Sequence, residues 1–331
     1  SLQSVATIAE FESICKTLAG IPLPIGVFSG KHGPHSMGET SDGRIWFTNS
    51  LSSTLMSFDP VTKVFKSYAV GHDALYPHTL RVDKDDIVWF TIVATNQMGR
   101  FDPKTEKMTV INLPHNGFLR WITDMIFPTL LHVASWFPDK ALTINLSHHR
   151  FFGEKIMAFP YGIDINPLDG SVWYAKLYAN KLGRIDPKTM AITEYDTPLK
   201  GPRRPRFDAK GIFWIPSFDE GALMRFDTVS KTFENYKVPP VGDGEYETPY
   251  ALNVNRNTGD VWMAANNSDR VLRFTPASKT FQSYPSPTRV TVLRDFAFTE
   301  DGRVCASSSN LPAYAIEDQR PSIICAADSH W

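Results

Sequence analysis

The sequence predicts an all-β chain, a β-propeller of four-stranded blades with six recognisable repeats and a helical insertion. A segment of the form P-H-x-x-x-x-x-x-D-G-x-(I/V)-W-F-T recurs, followed about a dozen residues later by G-R-F-D-P-K-T. The tryptophans at its centre are Trp46, Trp89, Trp173, Trp214 and Trp262, with Cys305 in the matching place of the last copy. Their separations are 43, 84, 41, 48 and 43 residues, a period of about 42 with one doubled interval. Four short strands in each period of that length are the pattern of a propeller blade.

Each element follows from its residues. In the second copy His78-Thr79-Leu80-Arg81-Val82 reads as strand a, Asp85-Asp86 as a turn, and Val88-Trp89-Phe90-Thr91 as strand b. Met98-Gly99-Arg100-Phe101 reads as strand c, Asp102-Pro103-Lys104-Thr105 as a turn with proline set for its first central position, and Met108 to Leu113 as strand d. The recurring tryptophan is a large flat side chain suited to filling the space between adjacent sheets. The copies start near Pro34, Pro77, Pro160, Pro205, Pro249 and Leu293, and the whole chain, 1–331, reads as one propeller domain.

The doubled interval, 115–158, lacks W-F-T and D-P-K-T elements. Leu119, Ile122, Ile126, Leu130, Val133 and Phe137 follow helical steps instead, with Pro128 expected to break or kink the helix. Two readings compete: a lid inserted between blades two and three, or a degenerate seventh blade. The missing turns favour the lid; a gap of twice the period favours the blade. As a lid, the segment has an apolar face that must be buried, which places it across the channel mouth with Trp121 and Phe127 as substrate contacts. The strand-like Val5 to Ile14 is expected to pair with the last blade.

Composition narrows the function. With 34 Lys+Arg against 35 Asp+Glu the net charge is -1, which speaks against a nucleic-acid partner. Three cysteines allow at most one bridge, and no CxxC zinc pattern, Gly-rich phosphate loop, GxSxG elbow or HExxH is present, so no nucleotide cofactor is expected. The most apolar stretch, Phe118 to Phe137, is interrupted by Arg120, Asp124, Pro128 and His132 and makes a poor transmembrane span. The start Ser1-Leu2-Gln3-Ser4 fits a processed terminus, so a soluble protein of the periplasm, the exterior or the cytoplasm remains open, as does the oligomeric state.

In a propeller, strand a begins and strand b ends on one face around the channel. The strand-a starts are His35, His78, Tyr161, Arg206, Tyr250 and Arg294. These are the candidate catalytic residues: imidazoles and phenols to move protons, guanidinia to hold a carboxylate or oxyanion. His35 and His78, on adjacent blades, are also candidate ligands of a divalent metal ion. Asn49 and Lys176 end strand b and are candidate substrate contacts. Glu245 and Glu247 precede the fifth copy and would complete a metal site or remain solvated; His32, His72, His115, His148 and His149 lie in loops.

The stretches DIVWFTIVATNQMGRFDPKTEKMTVINLP at 86–114 and GSVWYAKLYANKLGRIDPKTMAITEYDTP at 170–198 resemble the streptogramin B lyase (virginiamycin B lyase) family. The resemblance covers the six repeats and implies a seven-bladed propeller, a divalent metal, His and Glu groups on one face, and opening of a cyclic depsipeptide by elimination at an ester. A family repeat reads W-F-T-E. Here the matching positions of the first five copies hold Asn49, Ile92, Lys176, Ser217 and Ala265, and the last copy has Ser307-Ser308 there, none of them glutamate. The expectation is a lyase or ester- or lactone-processing enzyme for a small, partly apolar carboxylate or ester. The alternative is a non-catalytic propeller that binds a ligand or a protein.

Overall fold

The computed structural model describes residues 34–50, 52–135, 154–286, 292–308 and 322–327. The first blade contains β1 (Pro34–Glu39), β2 (Ile45–Asn49), β3 (Thr54–Asp59) and β4 (Val64–Ala69). The second contains β5 (Pro77–Val82), β6 (Val88–Ile92), β7 (Gln97–Asp102) and β8 (Lys107–Asn112). After helix α1 (Phe118–Ser135) the third contains β9 (Pro160–Ile165), β10 (Val172–Lys176), β11 (Lys181–Ile185) and β12 (Ile192–Asp196). The fourth contains β13 (Arg206–Phe207), β14 (Ile212–Ser217), β15 (Ala222–Asp227) and β16 (Thr232–Lys237). The fifth contains β17 (Pro249–Val254), β18 (Val261–Ala265), β19 (Arg270–Thr275) and β20 (Thr280–Pro285). The sixth has three described strands, β21 (Leu293–Phe298), β22 (Arg303–Ser308) and β23 (Ser322–Ala327). Each sheet keeps its strands in chain order, and the fold is a β-propeller with six blades among the described residues. The chain divides into two compact units, 1–163 and 164–331, with the boundary inside β9.

The repeated residues have distinct tasks. All five tryptophans are buried. Four of their indole N–H groups donate to an acceptor near the a–b turn: Thr40 Oγ1 at 3.1 Å, Asp83 Oδ2 at 2.9 Å, Ser171 Oγ at 2.8 Å and Asp208 Oδ2 at 3.2 Å. Such a side chain can fill an inter-sheet space because its one polar atom is satisfied. The glycine of the G-R-F-D and G-R-I-D elements is a packing device. Gly99 faces Phe90 and Gly183 faces Tyr174 across the ladder, where a Cβ would come within 2.2 Å and 1.9 Å of the ring. Where Ile215 and Met263 replace the aromatic residue, Met224 and Leu272 replace the glycine.

The c–d turns are closed by aspartate. Asp59, Asp102, Asp186 and Asp227 each accept through Oδ1 the N–H two residues on, at 2.9 Å. In the last blade, the cysteine in the tryptophan's place bonds Cys325 across β22 and β23, the one bridge the composition allowed.

Residues 118–135 form a helix rather than strands, which settles this part of the doubled interval as an insertion. The helix continues through Pro128 without the expected break. It does not bury its apolar face: Phe118 is 71 % and Met125 62 % exposed, and Leu119, Ile126, Leu130 and Val133 are exposed as well. Polar groups fasten it instead. Arg120 donates to the carbonyls of Asn116, Glu154 and Met157 at 2.9–3.1 Å. Asp124 accepts from Asn96 Nδ2 and bonds His115 Nδ1, both at 2.7 Å. No described helix is long and apolar enough to cross a membrane. The strand expected over Val5–Ile14, residues 136–153 of the insertion, and His32 lie outside the described residues, and His148 and His149 fall within that segment of the insertion.

Candidate functional site

The strand-a starts are placed by a recurring irregularity. The pairing of strands a and b shifts register between Pro34 and Met37, Pro77 and Leu80, Pro249 and Leu252, and Leu293 and Asp295. His35, His78, Tyr250 and Arg294 lie within these four shifts. A bulge takes a residue off the ladder and re-aims its side chain, and bulges are over-represented beside active sites. Two of the starts are also approached through strained backbone. Tyr76 and Phe159, each just before a proline, have φ of 67° and 61°, a left-handed conformation that costs about 1–3 kcal/mol for a non-glycine residue.

The threonine of W-F-T fixes this geometry in the first unit. Thr48 Oγ1 accepts the Ser36 N–H at 3.3 Å and donates to the carbonyl of His78 in the next blade. Thr91 Oγ1 likewise accepts the Thr79 N–H and donates to the carbonyl of Tyr161, both at 3.1 Å. One hydroxyl thus holds the bulge of its own blade and the strand start of its neighbour. The result is a column of rings. His35 and His78 have centroids 3.6 Å apart, and His78 and Tyr161 4.2 Å. His78 Nδ1 lies 2.9 Å from Thr79 Oγ1, and both His78 and Tyr161 are buried.

In the second unit guanidinia gather around a phenol. Arg294 Nη1 donates to Tyr250 Oη at 2.6 Å, which directs the phenolic hydrogen away from Arg294. The guanidinium carbons of Arg203, Arg204 and Arg294 lie 5.2–5.4 Å from the Tyr250 ring centre, and that of Arg203 lies 3.6 Å from the Phe218 ring. Arg204 donates to the Arg294 carbonyl at 3.2 Å. Arg206 Nη2 reaches both oxygens of Asp295, at 2.8 and 2.7 Å. Nearby, Asp164 accepts the Phe207 N–H at 2.7 Å, and burial pushes its carboxyl up to about 7 despite that bond. A carboxyl shifted in this way by burial is a mark of functional sites.

The other sequence candidates are placed as follows. Asn49 is buried and its amide meets Met56 Sδ at 3.6 Å. Lys176, 0 % exposed, pairs with Glu194 of β12 at 2.8 Å, and Tyr174 Oη donates to the same carboxylate at 2.7 Å. Trp121 helps line a cleft of about 350 Å³ under α1, with Asn96, His115, Asp124 and Met125. Phe127 is half-buried on the same helix. Glu247 is buried and accepts the N–H groups of Thr248 and Asn267, the Ser268 hydroxyl and Arg270, a structural network; Glu245 is exposed.

The metal expected at His35 and His78 meets a poor donor set. The two rings pack with centroids 3.6 Å apart, the strand-b ends supply no glutamate, and among the described residues no third ligating side chain joins the pair. Among the described residues, three metal-ligating side chains come together elsewhere, at His72, Asp73 and His132.

Sequence reading missed Arg203, Arg204, Asp164, Asp295 and the role of the W-F-T threonines. Their signals were charges within strand a or just before it, in the R-R-P-R run and in Y-G-I-D and L-R-D.

No protein-family model and no curated protein matches the chain. Among solved structures, a streptogramin B lyase is 19 % identical with a TM-score of 0.65, covering 88 % of this chain and 82 % of that one. Selenomethionine-substituted virginiamycin B lyase from Staphylococcus aureus is 18 % identical with a TM-score of 0.66, covering 88 % of this chain and 84 % of that one. The extracellular domain of a hybrid two-component system protein from B. thetaiotaomicron is 11 % identical with a TM-score of 0.57, covering 86 % of this chain and 32 % of that one. At these identities the likeness is one of fold: the chain has a streptogramin B lyase-like propeller fold.

Proposed function

We propose that the chain is a lyase or an ester- or lactone-processing hydrolase, acting on a small, partly apolar substrate that carries a carboxylate or ester. One observation carries this reading: four blades bulge at the start of strand a, at His35, His78, Tyr250 and Arg294. A purely architectural position would favour one apolar residue type in regular pairing. The arginines around Tyr250 suit a carboxylate or a developing oxyanion, and the phenol suits proton transfer to or from it. His78 and Tyr161 are the proton-carrying candidates of the first unit. In an elimination, a base takes the proton α to a carbonyl, its electron pair forms a double bond, and the ester oxygen leaves as a carboxylate. In a hydrolysis, water adds to the carbonyl instead, giving up a proton to the base, and the C–O bond of the tetrahedral adduct breaks so that the alcohol leaves with that proton. The donor set at His35 and His78 does not suit a metal, so neither route is drawn through one.

The fold-level likeness to streptogramin B lyases supports the class, and the missing glutamates argue against the same substrate. The Cys305–Cys325 bridge supports an oxidising compartment. The exposed apolar face of α1 supports a second reading, a propeller that recognises a protein. A panel of aryl esters, lactones and the cyclic depsipeptide quinupristin separates the two. The enzyme reading expects turnover of at least one member, lost in Tyr250→Phe and His78→Ala with the melting temperature nearly unchanged. Turnover of none, or equal turnover in both variants, removes it.

A further inference from the structure

We propose a divalent transition-metal site where His72 and Asp73, in the loop between β4 and β5, meet His132 in the last turn of α1. Ala74 N–H bonds the Gly71 carbonyl at 3.3 Å, so His72 and Asp73 are the two central residues of a tight turn and project from it. His132 comes from the other side. Its Nε2 lies 3.4 Å from Asp73 Oδ1, and His72 Nε2 lies 3.9 Å from the same oxygen. The two imidazoles are parallel, with centroids 4.0 Å apart and 6° between their planes. One ligand atom from each of the three residues lies within 4.8 Å of the others.

A zinc-like ion holds nitrogen and oxygen ligands at about 2.0–2.2 Å, which in a tetrahedron puts ligand atoms roughly 3.3–3.6 Å apart. The observed 3.4 and 3.9 Å are close to that spacing, and the stacked imidazoles would turn out of their parallel arrangement to bring both nitrogens onto one ion. Two imidazoles and a single carboxylate are the donor set of borderline first-row ions such as Zn²⁺ and Co²⁺. Calcium and magnesium prefer all-oxygen shells. His72 and Asp73 are exposed, which gives the ion a path in. Three protein ligands leave a position open, and Asp73 also lines the cleft under α1. The site has a structural consequence too. The fastenings through Arg120 and Asp124 hold the first half of α1, and the metal would tie its last turn to the loop between blades one and two.

This site is independent of the bulged strand starts and of the activity proposed for them. It is tested by titrating Co²⁺, then Zn²⁺, into the metal-stripped full chain, reading the cobalt absorption and the melting temperature. The expected result is one saturable equivalent that raises the melting temperature. Affinity should fall at least tenfold in His72→Ala and in His132→Ala, with circular dichroism unchanged, and remain intact in His35→Ala. No binding by the unmodified chain, wild-type affinity in the double His72→Ala/His132→Ala variant, or loss of binding in His35→Ala would overturn the assignment.

Discussion

Asp164 should make the stability of the second unit depend on pH in the direction opposite to a salt-bridged carboxylate. Its carboxyl titrates near 7 in the folded chain because burial disfavours the charge, against 3.8 in the unfolded chain. Between those values the folded state binds more protons than the unfolded one, so unfolding free energy falls as pH rises. The contribution is nil below about pH 4 and complete above about pH 7. A shift of that size amounts to roughly 4 kcal/mol at about 1.36 kcal/mol per pH unit. Asp164→Asn keeps the side-chain oxygen that accepts the Phe207 N–H and removes the titration. Urea unfolding of both proteins from pH 4.5 to 8.5, followed by tryptophan fluorescence, isolates this group because other carboxylates cancel in the difference. The variant should gain on the parent by several kcal/mol across that range. A difference flat to within about 1 kcal/mol would refute the assignment of a half-buried, proton-binding Asp164.

Two further substitutions separate structural from chemical roles. Thr91→Val keeps shape but removes both bonds of the hydroxyl, to the Thr79 N–H and the Tyr161 carbonyl. It should cost about 1–3 kcal/mol for each buried group left unsatisfied and lower turnover through the displaced Tyr161, read by chemical unfolding and steady-state kinetics. Lys176→Met should cost about 3–5 kcal/mol in unfolding experiments, because it strands Glu194 in the interior. Adding Glu194→Gln should recover much of that loss; a Lys176→Met chain of normal stability but raised KM would instead assign Lys176 to the substrate.

The blades were legible because strand period, turn chemistry and the tryptophan repeat all point to one architecture. Trp89 over Asp83 and Gly99 under Phe90 are local solutions to packing, and local solutions repeat in sequence. The insertion was legible as a helix from its spacing, but not in its orientation. The apolar stripe argued for burial, whereas Arg120, Asp124 and His132 attach the helix by polar contacts with residues 4–59 positions away along the chain. Such contacts leave no periodic trace. The candidate site divides in the same way. His35, His78, Tyr161, Arg206, Tyr250 and Arg294 share a repeat offset and could be read off. Arg203 and Arg204 gather at Tyr250 only because Arg204 bridges in parallel to Ala251, a pairing between blades that no spacing announces.

The proposed function requires the arginines around Tyr250 to bind an anion. Calorimetric titration of phenylacetate, a small and partly apolar carboxylate, into the full chain and into Arg294→Ala tests it most directly. Saturable binding by the parent chain, weakened at least tenfold in the variant with an unchanged melting temperature, is the expected result. Equal affinity in the two proteins, or no binding by the parent, would contradict it.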